Sequence, residues 1–517
     1  MTAEFDVAVV GCGPVGATLA NLLGMSGLSV VVFEREASVY HQPRAASFDG
    51  EAMRTFQTIG LAEEILPTTE AGRNIRHLNA DGRLLLRLER PPGIGPEGWQ
   101  GAYRFHQPSA EAVLRGGLAR FARVELRLRS DVFAIDERPD HVRIRFEDLG
   151  AGRLASTTAR YVVGCDGARS TVRRFMDVSL DDLRSHQRWI VLDMILNGPR
   201  SAIRHVADED GILLDAVQLC DPARPTTSVP MPGARHRWEF MLLPDDDAAR
   251  MAEPDQVWRL LAPWNVGPDS ARIERAVVYT FHSALATCWR RDRLLLAGDA
   301  AHQMPPFLGQ GLCSGIRDAM NLAWKLAAVV SGDAPASLLD TYERERAAHV
   351  RAYIELAVEL GGIIQATDPK RAADRDRALL ADPRLLEIIT PPLGPGLHGD
   401  APPPAATRAA QPLLGDGTRL DDRAGYGFAL LADPAWLARL PPGCRERLAR
   451  RPVSVIAADG DAADYLARLG APAVVIRPDR AILGTATTAD ELSARLNQIP
   501  LRDVAPPAPV ASPLAVS

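Results

Sequence analysis

Near its amino terminus the chain reads FDVAVVGCGPVG over residues 5–16, and this stretch decides the fold. The apolar, β-branched run 5–10 predicts a buried strand, residues 17–25 predict a helix, and residues 28–33 predict a second strand. A strand, a glycine turn, a helix and a strand in this order are typical of a βαβ unit in a doubly wound parallel sheet.

The three glycines of this turn have the spacing G-x-G-x-x-G. The first permits a tight turn, the second lets the backbone approach a pyrophosphate, and the third lets the helix pack close to the sheet. The free N–H groups at the helix start favour the same diphosphate. An acid ends the second strand, where it can accept a hydrogen bond from a ribose hydroxyl. The predicted dinucleotide contacts are Gly11, Gly13, Pro14, Val15, Gly16, Glu34 and Arg35.

A second motif indicates which dinucleotide is bound. The predicted strand 293–297 runs into the loop 298–311, which reads GDAAHQMPPFLGQG, and a long helix follows. An acid at a strand end suits the sugar-alcohol chain of FAD, and N–H groups at a helix start suit the negative charge of reduced flavin. The predicted contacts are Asp299, Gly309, Gly311, Leu312 and Cys313. An ordinary strand–loop–helix connection is the alternative, and His302 in such a loop is more often structural than catalytic.

A third motif reads GCDGARS over residues 164–170 and follows a predicted strand. It offers an acid, Asp166, and a cation, Arg169, beside a turn, but Asp-Gly turns are common and the motif alone is a modest signal. No second G-x-G-x-x-G follows a predicted strand. We therefore expect NAD(P)H to dock transiently rather than to occupy a Rossmann domain of its own.

The composition is that of a globular protein of two or three domains, with 517 residues, 46% hydrophobic and 24% charged. The net charge of -6 gives no electrostatic case for nucleic acid. The six cysteines are scattered without C-x-x-C or metal-ligand spacing, so we expect no metal site, no disulfide reductase and a cytoplasmic location. Residues 7–33 carry no charge, but glycines interrupt them and we expect no membrane helix.

The predicted fold class is α/β, with a Rossmann-like domain interleaved with a β-sheet substrate region. Apolar residues alternate over 190–243, which favours a sheet. Prolines at 402–404 indicate a linker to a small α/β domain, whose Pro/Ala-rich tail from Ala505 is predicted to be disordered. The predicted boundaries are 1–180 and 280–400 for the FAD-binding domain with connecting helices, 181–279 for the substrate-binding sheet region, and 401–517 for the C-terminal domain.

The three motifs, in this order and spacing, resemble those of the single-component FAD-dependent aromatic hydroxylases, which share the para-hydroxybenzoate hydroxylase fold. Several runs are more closely similar to the 3-(3-hydroxyphenyl)propionate hydroxylases. They are 43–45 (PRA), 49–54 (DGEAMR), 238–241 (WEFM) and 314–319 (SGIRDA). The C-terminal segment, especially 474–479 (VVIRPD), resembles the thioredoxin-like domain of this group but lacks C-x-x-C. A structural or subunit-contact role, as in a homodimer, is more plausible for it than thiol redox chemistry.

The resemblance implies roles for further residues. Arg44 matches an arginine near the flavin and the nicotinamide path, and Gln107 matches a flavin-contacting glutamine. Asp166 and Arg169 match a motif linked to both FAD and NAD(P)H. Pro306 matches a proline behind the isoalloxazine ring. Cys313 departs from the asparagine of several relatives, which matters little if that contact is made by the backbone N–H.

The implied activity is that of a monooxygenase that takes hydride from NADH or NADPH and inserts one oxygen atom of O2 into a phenol through a C4a-hydroperoxyflavin. The expected substrate is 3-(3-hydroxyphenyl)propionate or a 3-hydroxycinnamate-like compound. A tailoring hydroxylase of a larger aromatic polyketide and a non-enzymatic flavin-binding protein are the alternatives. The base that deprotonates the phenol is not identified by the sequence, and Tyr103, His106 and His282 are weak candidates.

Overall fold

The computed structural model describes residues 3–72, 74–90, 92–205, 216–382, 384–386 and 390–504. The chain divides into two compact units. The first comprises Met1–Met320 and Arg346–Pro391, and the second comprises Asn321–Glu345 and Pro392–Ser517. The tail predicted to be disordered from Ala505 lies outside the described residues.

The strands are β1 (Phe5–Val10), β2 (Val30–Phe33), β3 (Ser47–Asp49), β4 (Thr69–Ala71), β5 (Ile75–Leu78), β6 (Leu84–Leu88), β7 (Ala102–Phe105), β8 (Val124–Arg127), β9 (Ser130–Glu137), β10 (Val142–Asp148), β11 (Arg153–Gly164), β12 (Leu180–Leu196), β13 (Ala216–Leu219), β14 (Thr226–Pro230), β15 (Arg235–Met241), β16 (Ala271–Ala286), β17 (Arg290–Arg291), β18 (Leu294–Leu296), β19 (His302–Gln303), β20 (Arg384–Leu386), β21 (Phe428–Ala432), β22 (Val453–Ala457), β23 (Ala473–Ile476) and β24 (Ile482–Ala486). The helices are α1 (Pro14–Met25), α2 (Gly50–Thr58), α3 (Ala62–Ile65), α4 (Gln107–Gly116), α5 (Thr171–Phe175), α6 (Ala248–Met251), α7 (Pro254–Leu261), α8 (Gly311–Val330), α9 (Asp340–Ile364), α10 (Pro369–Ala381), α11 (Leu420–Ala424), α12 (Pro434–Ala438), α13 (Pro442–Arg450), α14 (Asp461–Leu469) and α15 (Ala489–Gln498).

The sheet that carries the glycine motif has the order β17-β18-β11-β1-β2-β8, with β10 and β9 branching from β11. Strand β1 pairs in parallel with β2 on one side and with β11 on the other. Because the carboxyl ends of parallel strands meet at one edge, the glycine turn after β1, the Asp-Gly turn after β11 and the loop after β18 lie at the same edge. The predicted βαβ opening is present, and its helix begins at Pro14.

A nine-stranded sheet has the order β19-β16-β12-β15-β14-β13-β5-β6-β20. We call one side its helix-covered face. On it Leu192, Val217 and Trp238 form a cross-strand row and pack with Val257 and Leu261 of α7.

We call the opposite side its polar face, because successive side chains of a strand alternate between faces. Two rows of residues in register define it, and they are Arg237, Asp193 and Arg275 in one row and His77, Gln218, Thr227 and Glu239 in the other. All seven side chains are buried.

The second unit contains a four-stranded sheet of order β22-β21-β23-β24, in which β21 and β22 are parallel and the other pairs are antiparallel. Its core includes Leu431, Leu466 and Val474. Arg477, from the run that the sequence singled out, donates to both carboxylate oxygens of Glu345 at 2.9 and 2.7 Å. Of the helices in the described part of the chain, none is long and apolar enough to cross a membrane.

Candidate active site

The glycine turn after β1 has the geometry that its sequence spacing predicts. Gly11 has a φ of +95°, which L side chains rarely adopt, and a Cβ there would lie 2.5 Å from the carbonyl oxygen of Cys165. A Cβ on Gly13 would meet nothing within 4 Å. Helix α1 starts at Pro14 with no side chain capping its first N–H groups. The turn therefore leaves open space and free donors where a diphosphate would lie.

The carboxylate of Glu34 is buried at the end of β2 and faces this turn. It accepts hydrogen bonds from the backbone N–H of Cys12 at 3.0 Å and from the guanidinium of Arg115 at 3.2 Å. Arg115 also donates to the carbonyl oxygen of Cys12 at 2.8 Å. Sequence reasoning missed Arg115, which holds Glu34 and the glycine turn in one arrangement. A ribose hydroxyl can still bond to the remaining lone pairs of Glu34.

Gln107, the first residue of α4, ties this region to the Arg44 segment. Its amide oxygen accepts from the backbone N–H groups of Arg44 at 2.9 Å and Ala45 at 2.7 Å. Its amide nitrogen lies 3.4 Å from Glu111, which accepts from Arg115 at 2.7 Å. A continuous chain of bonds thus joins the glycine turn to the Arg44 segment.

The loop after β18 lies against the glycine turn. A Cβ on Gly298, whose φ is +61°, would lie 3.1 Å from a methyl group of Val15, and one on Gly315 would lie 2.5 Å from it. The first and second sequence motifs are therefore in contact. The side chain of Asp299 is exposed in this loop, so its carboxylate is open to a ligand.

Asp318 on α8 holds the Gly298 loop in place. Its carboxylate accepts from the backbone N–H of Gly298 at 3.0 Å, from His302 at 2.6 Å and from Arg346 at 2.9 Å. Burial opposes ionisation, but His302 and Arg346 outweigh it and lower the pKa of Asp318. His302 is therefore held in a buried hydrogen bond with Asp318, which fits the structural role that the sequence favoured.

The glycine-rich end of the same loop is held from α2. Arg317 bonds to Asp49, to Glu51 at 2.5 Å and to the side-chain oxygen of Gln310 at 2.8 Å. Gln310 lies between Gly309 and Gly311 at the start of α8. The runs 49–54 and 314–319, which carried the resemblance, are thus bonded to each other and fix the helix start that would face the flavin ring.

The Asp-Gly motif after β11 lies beside the same loop. One oxygen of Asp166 accepts from the backbone N–H groups of Thr171 at 2.7 Å and Val172 at 3.2 Å, while the other is buried and has no partner among the described residues. Burial raises the pKa of Asp166, and these hydrogen bonds oppose the rise. Arg173 donates to the carbonyl oxygen of Ala300 at 2.9 Å, and Arg169 is exposed.

Two arginines of the polar face fix the Arg44 segment from below. Arg237 donates to the carbonyl oxygens of Arg44 at 2.6 Å and Pro43 at 2.7 Å, and Arg275 also donates to Pro43. Asp193 lies between them, 2.7 Å from the Nε of Arg237 and 3.5 Å from Arg275. Sequence reasoning missed Asp193 and Arg275. Charged residues at alternate positions of buried strands were the available signal.

The three candidate bases lie in different places. His106 immediately precedes Gln107, and its Nδ1 lies 2.8 Å from the hydroxyl of Ser109. Burial lowers the pKa of His106. Tyr103 stacks on Phe48 at 5.2 Å, and its hydroxyl accepts from the backbone N–H of Gln100 at 3.0 Å. His282 is exposed on β16.

These features fit FAD. One sheet edge brings together the open glycine turn, the uncapped start of α1, the buried acid at the end of β2, the exposed Asp299 and the helix start at Gly311. After Gly311, Leu312 is half-buried and Cys313 is buried. Pro306 opens a short helical turn just before that helix. Among the described residues no group of His, Cys, Asp or Glu side chains could hold a metal ion.

Comparison with known proteins agrees with this geometry. Residues 4–357 match the family described as FAD binding domain. The chain belongs to this family. It is 39% identical, over 98% of its length and 97% of the relative's, to a Rhodococcus jostii (strain RHA1) protein named "Probable NADH-specific resorcinol 4-hydroxylase". It is 41% identical, over 83% of its length and 76% of the relative's, to a Mycobacterium avium (strain 104) protein named "3-(3-hydroxy-phenyl)propionate/3-hydroxycinnamic acid hydroxylase".

A solved structure of the flavin-dependent monooxygenase PieE with FAD and substrate superposes with a TM-score of 0.78. The match covers 96% of this chain and 99% of that one at 20% identity, so it shows the mixed α/β fold alone. The family and the relatives confirm the predicted resemblance to the FAD-dependent aromatic hydroxylases. The protein is an FAD-dependent monooxygenase that hydroxylates a phenolic ring and uses NAD(P)H, not a non-enzymatic flavin carrier.

Proposed function

We propose that the substrates are small phenols with a substituent meta to the hydroxyl whose deprotonation activates the ring. We call this hydroxyl the reacting hydroxyl, although the new oxygen atom is added to a ring carbon. Resorcinol, 3-(3-hydroxyphenyl)propionate and 3-hydroxycinnamate share this pattern. The observation that carries the proposal is that two relatives, at 39% and 41% identity, are named for different substrates that both contain such a ring. The predicted 3-(3-hydroxyphenyl)propionate is one member of this class. The alternative of a larger polyketide substrate is supported only by a likeness in fold, at 23% identity, to a solved structure of aklavinone-11 hydroxylase with aklavinone.

The cofactor contacts predicted from the sequence are proposed with the following roles. The turn Gly11 to Gly16 and the start of α1 hold the diphosphate, and Glu34 holds a ribose hydroxyl. Asp299 binds the ribityl chain, and the backbone N–H groups at the start of α8 face the flavin ring. Arg44, Gln107, Pro306, Asp166 and Arg169 keep the roles that the resemblance implied.

Bound FAD supplies the hydride acceptor and the site of O2 activation. The chain's own contribution is to hold the phenol, exclude water and keep the reacting ring in place. The apolar side chains of Trp189, Met241 and Phe307 pack in one cluster that suits an aromatic ring. A base near the Arg44 segment would remove the phenol proton, and Tyr103 and His106 both remain candidates, whereas His282 is the least favoured because it is exposed.

We also propose the domain boundaries given above and a thioredoxin-like fold for the C-terminal domain. The sheet order β22-β21-β23-β24, with one parallel and two antiparallel pairs, supports that fold. Cys444 has no C-x-x-C partner there. We therefore propose a structural or subunit-contact role for the C-terminal domain, in a homodimer located in the cytoplasm.

The test is an air-oxidation assay on the purified yellow protein. NADH and NADPH consumption would be followed with resorcinol, 3-(3-hydroxyphenyl)propionate and 3-hydroxycinnamate, and products would be identified by mass. We expect stimulated consumption and a product heavier by one oxygen atom. Stimulation that yields only H2O2 would mark the compound as an effector. Lack of product from every meta-substituted phenol would contradict the proposal.

A further inference from the structure

A pair of side chains on the polar face is not used by the cofactor motifs. His77 on β5 and Gln218 on β13 are register partners, and their exposed fractions are 1% and 3%. Neither ring nitrogen of His77, nor the amide oxygen of Gln218, has a hydrogen-bond partner among the described residues. A small rotation that joined the two would still leave one ring nitrogen unpaired. Buried polar groups are normally hydrogen-bonded, so a ligand that bonded to this pair would recover the free energy lost by leaving its polar atoms unpaired.

The pair lies beside the loop that is proposed to back the flavin. The amide nitrogen of Gln218 donates to the carbonyl oxygen of Phe307 at 3.3 Å, and Phe307 directly follows Pro306. The ring of Phe307 packs edge-on against Trp189 at 5.7 Å. Trp189 and Met241 face each other in the next row of the same sheet face. An aromatic substrate against these apolar side chains would therefore have the pair at its edge.

The charged residues of this face are already balanced. Arg237 and Arg275 carry two positive charges, and Asp193 and Glu239 carry two carboxylates within 4.0 Å of them. Arg275 keeps buried N–H groups without a partner, but its charge is compensated by Asp193. The face thus offers a neutral donor and acceptor pair rather than an excess of positive charge for a carboxylate.

The pair is also unsuited to deprotonate a phenol. Burial lowers the pKa of His77 to about 4, and the facing Gln218 amide only partly opposes this. Gln218 does not titrate. A hydroxyl group, which donates one hydrogen bond and accepts another, matches the amide oxygen of Gln218 and an N–H of His77.

We propose that His77 and Gln218 bind the hydroxyl group that the substrate carries meta to its reacting hydroxyl, so that 1,3-dihydroxybenzenes are preferred. This inference rests on the proposed function and names the substituent that the site recognises.

The test compares resorcinol with 3-methylphenol, which has a methyl group in place of the second hydroxyl. Gln218→Leu and His77→Leu are each expected to lower kcat/KM for resorcinol by about 10- to 100-fold, because a buried hydrogen-bonding group discriminates strongly between a hydroxyl and its absence. Their kcat/KM for 3-methylphenol should not fall, because a leucine side chain leaves no unpaired polar group against the methyl group. Product-to-H2O2 ratios would fall for resorcinol alone.

The matched control is His236→Leu. His236 is an equally buried histidine, bonded to Ser228 at 2.8 Å, but it lies on the helix-covered face. It should leave the ratio of the two substrates unchanged. Flavin content and urea unfolding would show whether each variant folds. If His77→Leu does not fold, Gln218→Leu still tests the inference, because leucine and glutamine have similar volumes.

Four outcomes would overturn the inference. Equal losses for resorcinol and 3-methylphenol would mean that the pair binds the reacting hydroxyl. A loss of kcat/KM confined to 3-(3-hydroxyphenyl)propionate, and seen equally in Arg275→Met, would mean that the polar face binds a carboxylate. Wild-type protein that hydroxylates none of these phenols would refute the proposed function and the inference with it, whereas normal wild-type turnover with unchanged variants would refute the inference alone.

Discussion

The two faces of the nine-stranded sheet are made by the same strands and are opposite in chemistry. Arg237 and Trp238 are neighbours in the chain, yet one belongs to a buried ion-pair row and the other to an apolar core. The helix-covered face gains stability from removing apolar surface from water. The polar face instead buries charge, which is costly unless every charge is paired. This difference indicates that one face maintains the fold and the other maintains the site.

The largest effect is expected from Asp193→Ala on the polar face. It leaves Arg237 and Arg275 buried without their shared carboxylate, and loss of one partner of a buried ion pair costs about 3–5 kcal/mol. The same arginines hold the Pro43–Arg44 carbonyls, so NAD(P)H oxidation should fall as well. Urea unfolding and steady-state kinetics on the FAD-loaded protein would measure both.

The control for this change is Glu274→Ala on the neighbouring strand β16. Glu274 pairs with Arg235 at 3.1 Å, but both side chains are about one-third exposed. Water screens such a pair, so its loss should cost about 1 kcal/mol or less. Equal losses of unfolding free energy in the two variants would show that burial does not strengthen the ion pairs of Asp193.

A smaller effect, of a different kind, is expected on the helix-covered face. Leu192 is fully buried among Trp238 and the residues of α7, and Leu192→Ala should cost about 3 kcal/mol through the cavity it leaves. Because Leu192 does not touch the Arg44 segment, kcat/KM should be unchanged at temperatures where the variant is folded. A variant that is fully stable but catalytically impaired would contradict the division between the faces.

The geometry of the glycine turn could be predicted from the sequence because it is local. The glycine turn needs Gly11, Gly13 and Gly16 within six residues, and its φ of +95° at Gly11 leaves the sequence few options. The flavin contacts of Asp299 and of Gln107, the latter implied by the resemblance, stay predictions. Short-range spacing, and the backbone geometry that it requires, can be recognised directly in a sequence.

The polar face could not be predicted in the same way, because register decides which residues meet. Asp193 lies 44 residues from Arg237 and 82 from Arg275, and only the pairing of β12 with β15 and β16 brings them together. A shift of one residue in either strand would place Trp238 or Ala276 opposite Asp193 instead. The alternation over 190–243 indicated a sheet but not its partners.

The smallest predicted effect compares one buried histidine on each face. Burial lowers the pKa of His77 to about 4 and that of His236 to about 3, from an ordinary value of 6.5. Above pH 6.5 both are neutral whether the chain is folded or unfolded. As the pH falls below 6.5, the unfolded chain binds a proton at each histidine and the folded chain does not, so stability is lost until the folded pKa is reached.

Each histidine should therefore contribute a slope of about 1.4 kcal/mol per pH unit to the free energy of unfolding between pH 6 and pH 5. His77→Gln and His236→Gln should each remove that slope, and the double variant should remove about twice as much. Urea titrations at pH 7, 6 and 5 measure it, and differences between variants cancel the carboxylates that titrate in the same range. If His236→Gln alone left the pH slope of the unfolding free energy unchanged, His236 would be able to bind a proton in the folded chain. The two faces would then differ in charge pairing but not in the exclusion of water.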